Sequence, residues 1–577
     1  MPPRAWPTWS SARSRPDGPL CVAAYNGAMR EDPGPSPEPL RDDADVLVVG
    51  GGHNGLVCAA YLAAAGLKVT VLERRGVVGG AAVTEEFHPG FRNSTASYTV
   101  SLLDPSVIAD LRLAAHGLRV VERPFSNFLP LPDGRAFRLG GDRGLQAIAD
   151  WSPRDAQRMA GYEAMLTRVV AVLRELARRT PPDVGGKLSL SDWLASYDVA
   201  RRLGRLDLAG RRDLLALFTR SAGDLLDEWF EGEPLKAALG WDSVVGNFAS
   251  PYTPGSAYVL LHHVFGEVNG KQGAWGHAIG GMGAITQAIA RECEARGVRI
   301  HTGAAVARVL VQGGRARGVA LDDGRELRAA TVVSNLNPKL LYTRLVERAH
   351  LDEDTARRIA AYRCGSGTFR MNVALSELPD FTAAPGTSLQ PHHQSGILVG
   401  HSLQYFETAY FDAKSRAHNP GWARAPIVEL VISSTLDDTL APPGQHVASL
   451  FCQHVNPELA DGGWDAHRDA VARLMIDTVD AVAPNFARSV LGYRALSPLD
   501  LEREFGLVGG DIFHGALGLD QMFSARPLLG QGRYRGALPG LYLCGSGAHP
   551  GGGVTGLPGR NAAREILRDL RRGPRPG

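Results

Sequence analysis

The sequence predicts an α/β protein, α+β in its inserted portion, and three observations carry that prediction. Towards one end, Val46 to Val49 is an unbroken apolar run, followed by G-x-G-x-x-G at Gly50, Gly52 and Gly55. An Ala/Leu-rich helix follows at about 55–65, then Gly66 and a second apolar strand from Lys68 to Leu72. Towards the other end, Leu541 to Leu543 runs into a glycine-dense turn and an amphipathic helix. Between them, Ser152 to about Trp241 shows helical spacing of apolar residues. A covered parallel strand shows a continuous apolar run because both its faces are buried. The two ends therefore read as parts of a Rossmann-type parallel sheet, with a helical block inserted between them.

The first βαβ unit is built to hold a dinucleotide. Gly50 allows the tight turn, Gly52 lets a pyrophosphate approach the backbone, and Gly55 lets helix and strand pack closely. The helix N-terminus offers free N–H groups and partial positive charge to phosphates. Glu73 ends the second strand, about twenty residues on, where a carboxylate accepts from ribose hydroxyls. A glycine-rich turn in some other α/β protein is the bland alternative, but strand, helix, strand and acid in register favour the functional one. Gly79-Gly80 gives a second close backbone approach, which suits a cofactor longer than NAD; a plain turn is its alternative.

Residues 98–150 read as short strands and turns, with a hairpin signal at Pro132-Asp133-Gly134. Helical patterning then covers Met165 to Leu176, Trp193 to Leu206 and Leu214 to Trp229, a substrate or cap domain. Its Arg-rich face is a solvated surface or, alternatively, a membrane-facing one. The loop-rich stretch 250–283 holds His262, His263, Trp275 and His277. A helix (284–296), a strand near 298–301, a strand pair around 305–321, the turn Asp322-Asp323-Gly324 and a strand at 326–333 return the chain to the nucleotide sheet. Strands at 367–375, 426–433 and 446–453 with a helix around 467–483 make a mixed sheet in the second half of the substrate domain. Finally, 501–570 returns to the cofactor, and the closing helix N-terminus offers unpaired donors. Aimed at a flavin, they would stabilise charge on its pyrimidine edge; a simple helix cap is the alternative.

The chain thus divides into a disordered tail (1–43), nucleotide-binding parts at 44–135, 276–345 and 501–577, a helical cap at 136–275 and further substrate domain at 346–500. The tail has Arg4, Arg13, Arg15 and Arg30 and few acids, as a presequence would, yet Pro2, Pro3, Pro7, Pro16 and Pro19 interrupt any helix. A plain tail from translation starting upstream of Met29 is the other reading.

At 577 residues, two or three domains are expected. A formal net charge of +2 gives no reason to expect nucleic acid as a partner. The six cysteines include no C-x-x-C pair, which fits a reducing compartment such as the cytoplasm and argues against a zinc site or a redox dithiol. No metal site is expected.

Two distant motifs match one family. VVGGGHNGLVCAAYLAAAGLKVTVLERRGVVGGAAVTEE resembles the FAD-binding start of phytoene desaturase-type flavoproteins of the amine oxidase superfamily, and GLYLCGSGAHPGGGVTGLPGRNAA resembles their closing FAD motif. The likeness spans about Asp45 to Leu570. It implies FAD held by a domain of three chain segments with the substrate domain interleaved. The implied contacts are Gly50, Gly51, Gly52, His53, Asn54 and Gly55; Glu73 and Arg74; Gly79, Gly80 and Ala81; Val306; and Gly545, Ser546, Gly547, Gly551, Gly552, Gly553 and Val554. No second strand–GxGxxG–helix unit is found for NAD(P)H. The family further implies a mitochondrial-matrix location and a regulatory role for its eukaryotic members.

The expected function is dehydrogenation of an apolar or amphipathic small molecule by hydride transfer to flavin N5, with oxygen or a quinone as final acceptor. Candidate catalytic side chains are His262, His263, Trp275, His277 and His549, since a histidine of near-neutral pKa can take the proton; each has a structural role as its alternative. Two rival functions stay open: a redox-neutral flavin isomerase, and a non-catalytic FAD-binding regulator of a respiratory partner. Peripheral contact with a membrane or a respiratory complex is also considered.

Overall fold

The computed structural model describes residues 43–185, 190–415 and 421–572. The presequence-or-tail question concerns residues outside this set. Strand β1 (Val46–Val49), helix α1 (His53–Ala63) and strand β2 (Val69–Leu72) form the βαβ unit the glycine spacing calls for. Strands β3 (Asn127–Pro130) and β4 (Ala136–Leu139) form a hairpin, with Gly134 in the turn at φ +80°. Helices α2 (Pro153–Ala177), α3 (Leu190–Leu203) and α4 (Ser256–His263) belong to the inserted block. Strand β5 (Gly276–Ala278), helix α5 (Gly283–Ala295) and strands β6 (Arg299–His301) and β7 (Thr331–Ser334) follow. Then come β8 (Thr368–Leu375), β9 (Gly396–Val399), β10 (Trp422–Val431), β11 (His446–Val455), β12 (Val490–Leu496), β13 (Leu541–Leu543) and the closing helix α6 (Leu557–Arg572).

Two sheets organise these elements. The first runs β6-β2-β1-β7-β13, all parallel, with Val49 opposite Leu72 on one side and Ser334 on the other. Strand order reverses between β1 and β7, so a crevice opens beyond their carboxyl ends. The second sheet is mixed, in the order β12-β8-β11-β10-β9-β3-β4, with only β9 and β3 parallel. Alternate residues of its strands feed two cores, as a pleated strand requires. Leu129, Leu398, Ile427 and Phe451 pack with α2 and α4, whereas Phe128, Ile397, Val428 and Leu450 pack with the helix Gly463–Asp480. The sheet is thereby covered on both faces.

Several expectations change. Residues 127–139 extend the second sheet, so chain assigned to the first nucleotide-binding segment crosses into the substrate domain earlier than 135. The stretch 98–150 contains helices Pro105–Asp110 and Gly144–Trp151; Asp104 caps the first by accepting from Ser106 N–H at 2.9 Å. The single helix expected at 214–229 is two, Leu208–Thr219 and Ala222–Trp229, because Ser221 caps the second and accepts from Asp224 N–H at 3.0 Å. The strand expected at 326–333 is also two: Glu326–Arg328 stays in a three-stranded meander, while β7 enters the parallel sheet. Inside the loop-rich stretch 250–283 lies α4, all eight of whose residues are buried. No helix among the described residues is long and apolar enough to cross a membrane.

Candidate functional site

The glycine loop is shaped by contacts that leave no room for side chains. A Cβ on Gly55 would lie 2.3 Å from the Gly50 carbonyl oxygen, and one on Gly52 would lie 2.5 Å from Asn335 Nδ2. Gly50 adopts φ +94°, open only to glycine at low cost. Gly79 donates its N–H to the Gly51 carbonyl at 2.9 Å, which seats the second glycine pair against the first loop. Glu73 lies buried at the end of β2 and accepts from Gly51 N–H at 2.7 Å and from Arg75 N–H at 2.9 Å.

The closing motif reaches the same place. After β13, Ser546 Oγ accepts from Asn54 Nδ2 at 3.1 Å. A Cβ on Gly545 would be 2.4 Å from the Asn335 carbonyl oxygen, and one on Gly559 of α6 would be 2.2 Å from the Asn54 carbonyl oxygen. Helices α1 and α6 therefore pack at a distance that only glycine permits. The cleft that results is lined by Gly50, Gly52, His53, Glu73, Arg74, Gly80, Ala81, Val306 and Ser546, nine of the positions implied to touch FAD. Gly51, Asn54, Gly55 and Gly79 support it from behind, while Arg74 Nη2 donates to the Glu504 and Arg503 carbonyls at 2.6 and 3.0 Å.

Gly551, Gly552 and Gly553 are not part of this cleft's lining. A Cβ on Gly551 would sit 3.6 Å from Arg526 Nε, one on Gly552 2.9 Å from Phe513, and one on Gly553 3.4 Å from His262. Val554 next to them takes φ +57°. Gly547 packs on Pro338. Arg526, fully buried, donates to the carbonyls of Phe513 (2.6 Å) and Ser546 (2.9 Å) and so ties the 513–526 loop to the closing motif.

The residues fit an FAD molecule. His53 Nε2, Asn54 Oδ1 and His514 Nδ1 are buried without hydrogen-bond partners, and both histidines line the cleft. Buried polar groups are otherwise paired, so such orphans at a helix N-terminus mark a place for a polar ligand. Burial pushes His53 down to about 4; burial, with the charges of His53 and Arg526, pushes His514 to about 3. Both rings are neutral at pH 7. Asn335, Asn337, Leu340 and His514 also line the cleft and were not singled out in the sequence. Asn335 follows the strand that returns to the sheet, and that position was the available signal; His514 gave none.

The five catalytic candidates separate. His262 lies edge-on to Phe513, centroids 5.4 Å apart, beside Gly552 and Gly553. His263, next on α4, stacks on Trp275 at 6.1 Å and 7°, and both line a second chamber in the substrate domain. His549 lines a third cavity, beside Phe523. His277 in β5 is held by Asp437, Nε2 to Oδ2 2.9 Å. Burial raises the Asp437 carboxyl, but hydrogen bonds from His277, Thr439 and Gly280 outweigh it and hold it at about 2. Burial lowers His262 to about 3 and His263 and His549 to about 4, so none of these three titrates near neutrality as expected of a general base. Low dielectric around apolar neighbours disfavours the imidazolium. Among the described residues no cluster of three or more His, Cys, Asp or Glu is placed to hold a metal ion.

A parallel sheet with a glycine-lined switch point, closed by a second glycine motif from the far end of the chain, is the frame of a flavin-dependent oxidoreductase. The family described as flavin containing amine oxidoreductase matches residues 55–369. A rat protein named pyridine nucleotide-disulfide oxidoreductase domain-containing protein 2 is 43% identical over 92% of this chain and 94% of its own. A lycopene-forming phytoene desaturase from a Paracoccus strain is 25% identical over 91% of this chain and 97% of its own. Wild-type putrescine oxidase bound to putrescine superposes with a TM-score of 0.55 at 15% identity, covering 92% of this chain and 99% of that one, a likeness of fold. The chain belongs to the flavin-containing amine oxidoreductase family and is an FAD-dependent oxidoreductase.

Proposed function

We propose that this protein dehydrogenates an apolar or amphipathic small molecule in the chamber between the helical block and the second sheet. The observation that carries this reading is the chamber itself, about 590 Å³ and lined by Met159, Tyr162, Leu166, Asp242, His263 and Trp275. That is the size and lining of small-molecule sites in general. Its wall continues to the closing glycine loop through α4, since His263 borders the chamber and His262 borders Gly552.

Bound FAD supplies a hydride acceptor, which oxygen or a quinone would restore. The chain's own groups position and desolvate. The stacked His263–Trp275 pair offers a flat wall to an extended substrate. Enclosure, with the Glu429 charge, pushes the Asp242 carboxyl well above its ordinary range, so it faces the chamber as a neutral donor. His262 accepts or donates at one ring nitrogen with the Gly552 backbone and leaves Nδ1 without a partner. That lone pair makes His262 the candidate proton acceptor, though it lines the pocket next to the chamber rather than the chamber itself and its lowered pKa makes it a weak base. His277 serves structure through Asp437 in this reading.

Anaerobic addition of apolar substrates to FAD-loaded protein tests the proposal: bleaching of the flavin band by one of them is expected. Product formed with no acceptor consumed would replace dehydrogenation by isomerisation. FAD bound tightly but bleached by nothing would replace it by a regulator.

A second, surface role rests on α3, where Leu190, Trp193 and Tyr197 are 64–78% exposed. Apolar residues clustered on one exposed helix mark a contact surface. We infer that this face makes the peripheral membrane or respiratory-complex contact. Flotation of the protein with liposomes, lost in Trp193→Glu, checks the membrane form of it.

A further inference from the structure

A third cavity lies apart from both the cofactor cleft and the substrate chamber, and its lining is arginine. It encloses about 1010 Å³ between the end of α2, the inner side of α3 and one face of α6, and eight arginines line it against three carboxylates. Arg560, Arg564, Arg568 and Arg572 recur every fourth residue along α6, which puts them on one helix face. A surface helix usually interleaves acids at that spacing. Here Glu565 alone on the helix joins the lining.

Part of this charge is unanswered. Arg560 is only 8% exposed; its Nη1 has no hydrogen-bond partner, and its Nε lies 3.8 Å from the Asp110 carboxylate without a hydrogen bond. Arg564 has no carboxylate within ion-pairing reach among the described residues; burial and the charges of Arg560 and Arg179 push its pKa down, with Tyr61 and Asp110 acting the other way. Also in the lining, His549 Nδ1 is buried and unpartnered. Arg178, by contrast, is matched by Asp104 at 2.8 Å, Arg179 by Asp198 at 3.3 Å, and Arg202 by Glu175 and Asp198. Among the described residues Arg560 is thus buried with a single long ion pair and Arg564 is exposed with none, a surplus of positive charge that an anionic ligand would offset. Beside the charges, Leu176, Pro182, Leu194 and Phe523 form an apolar wall.

We propose that this cavity binds an amphiphile with a phosphate head, the head held by Arg560 and Arg564 and the apolar tail laid along Leu176, Leu194 and Phe523. The guanidinium fork suits phosphate oxygens bidentately, and a dianionic head uses more than one fork where a carboxylate is satisfied by one. This cavity is separate from the substrate chamber, and binding to it is read without turnover.

Calorimetric titration of the FAD-loaded protein with monomeric dodecyl phosphate tests it, with inorganic pyrophosphate and dodecyltrimethylammonium as the other arms. Saturable binding of dodecyl phosphate at one site is expected, at least tenfold tighter than pyrophosphate, with none of the cationic amphiphile. Arg564→Gln, at an exposed position outside the cofactor cleft, should weaken binding at least tenfold while the flavin band stays unchanged. Equal affinity in Arg564→Gln and the unaltered protein would overturn the proposal, as would no saturable binding of dodecyl phosphate. Pyrophosphate binding as tightly as dodecyl phosphate would overturn the tail and leave a site for free phosphate.

Discussion

Asn54, in the first turn of the first helix, donates its side-chain amide to Ser546 Oγ at 3.1 Å across 492 residues of chain. This bond fastens the opening glycine loop to the closing one. Ser546→Ala leaves a buried amide donor without its partner, and such losses cost about 1–3 kcal/mol. The expected outcome is a lower urea midpoint and faster FAD release. Equilibrium unfolding and flavin fluorescence check the two separately.

Gly559→Ala should be more severe. Its Cβ would press on the Asn54 carbonyl oxygen at 2.2 Å, and backbone there cannot move aside. Overpacking of this kind costs about 1–3 kcal/mol and here also shifts the helix that carries Asn54. Gly297→Ala, where a Cβ meets nothing within 4 Å but φ is +79°, separates backbone strain from crowding. Gly559→Ala should lose FAD; Gly297→Ala should lose only stability. Absorbance after desalting distinguishes them.

Stability should fall on mild acidification. Burial lowers His53, His262, His263, His514 and His549 to about 3–4 in the folded protein, while the unfolded chain titrates near 6.5. As pH falls, the unfolded state therefore takes up these protons first. The stabilisation is complete above about pH 6.5 and declines as pH drops towards 4, by about 1.4 kcal/mol per pH unit for each net proton. Asp242 and Asp511, raised by burial, act in the opposite sense and reduce the slope. Urea midpoints between pH 4.5 and 8 measure the net effect, which should favour higher pH.

His262→Gln tests the proton acceptor. Flavin reduction by the substrate should slow at least tenfold while FAD content is retained. His277→Ala, which strips a hydrogen bond from Asp437, should lower stability more than it lowers the rate. Stopped-flow bleaching and thermal melts together decide between the two residues.

Much of this architecture was legible in the chain for identifiable reasons. Parallel strands such as Val46–Val49 are covered on both faces and so print as apolar runs, and Gly52 and Gly55 stand where a Cβ would collide. The fully buried helix Ser256–His263 was missed because a helix with no solvent face has no periodicity to show. Asn127–Pro130 gave no sign that it pairs with Gly396–Val399, since parallel pairing across some 270 residues leaves no local mark. The candidate histidines were found as residues but not as chemistry: only packing reveals that His277 has Asp437 and that His262 has a nitrogen with nothing.

The most direct test of the account is the flavin content of the purified protein alongside Gly52→Val. Valine there would drive Cβ to 2.5 Å from Asn335 Nδ2, into the space between the glycine loop and β7. The account predicts about one FAD released per chain on denaturing the unaltered protein, and almost none from a Gly52→Val variant that keeps its circular dichroism spectrum. A folded, colourless unaltered protein that takes up no added FAD, or a Gly52→Val variant that holds FAD as tightly, would contradict it.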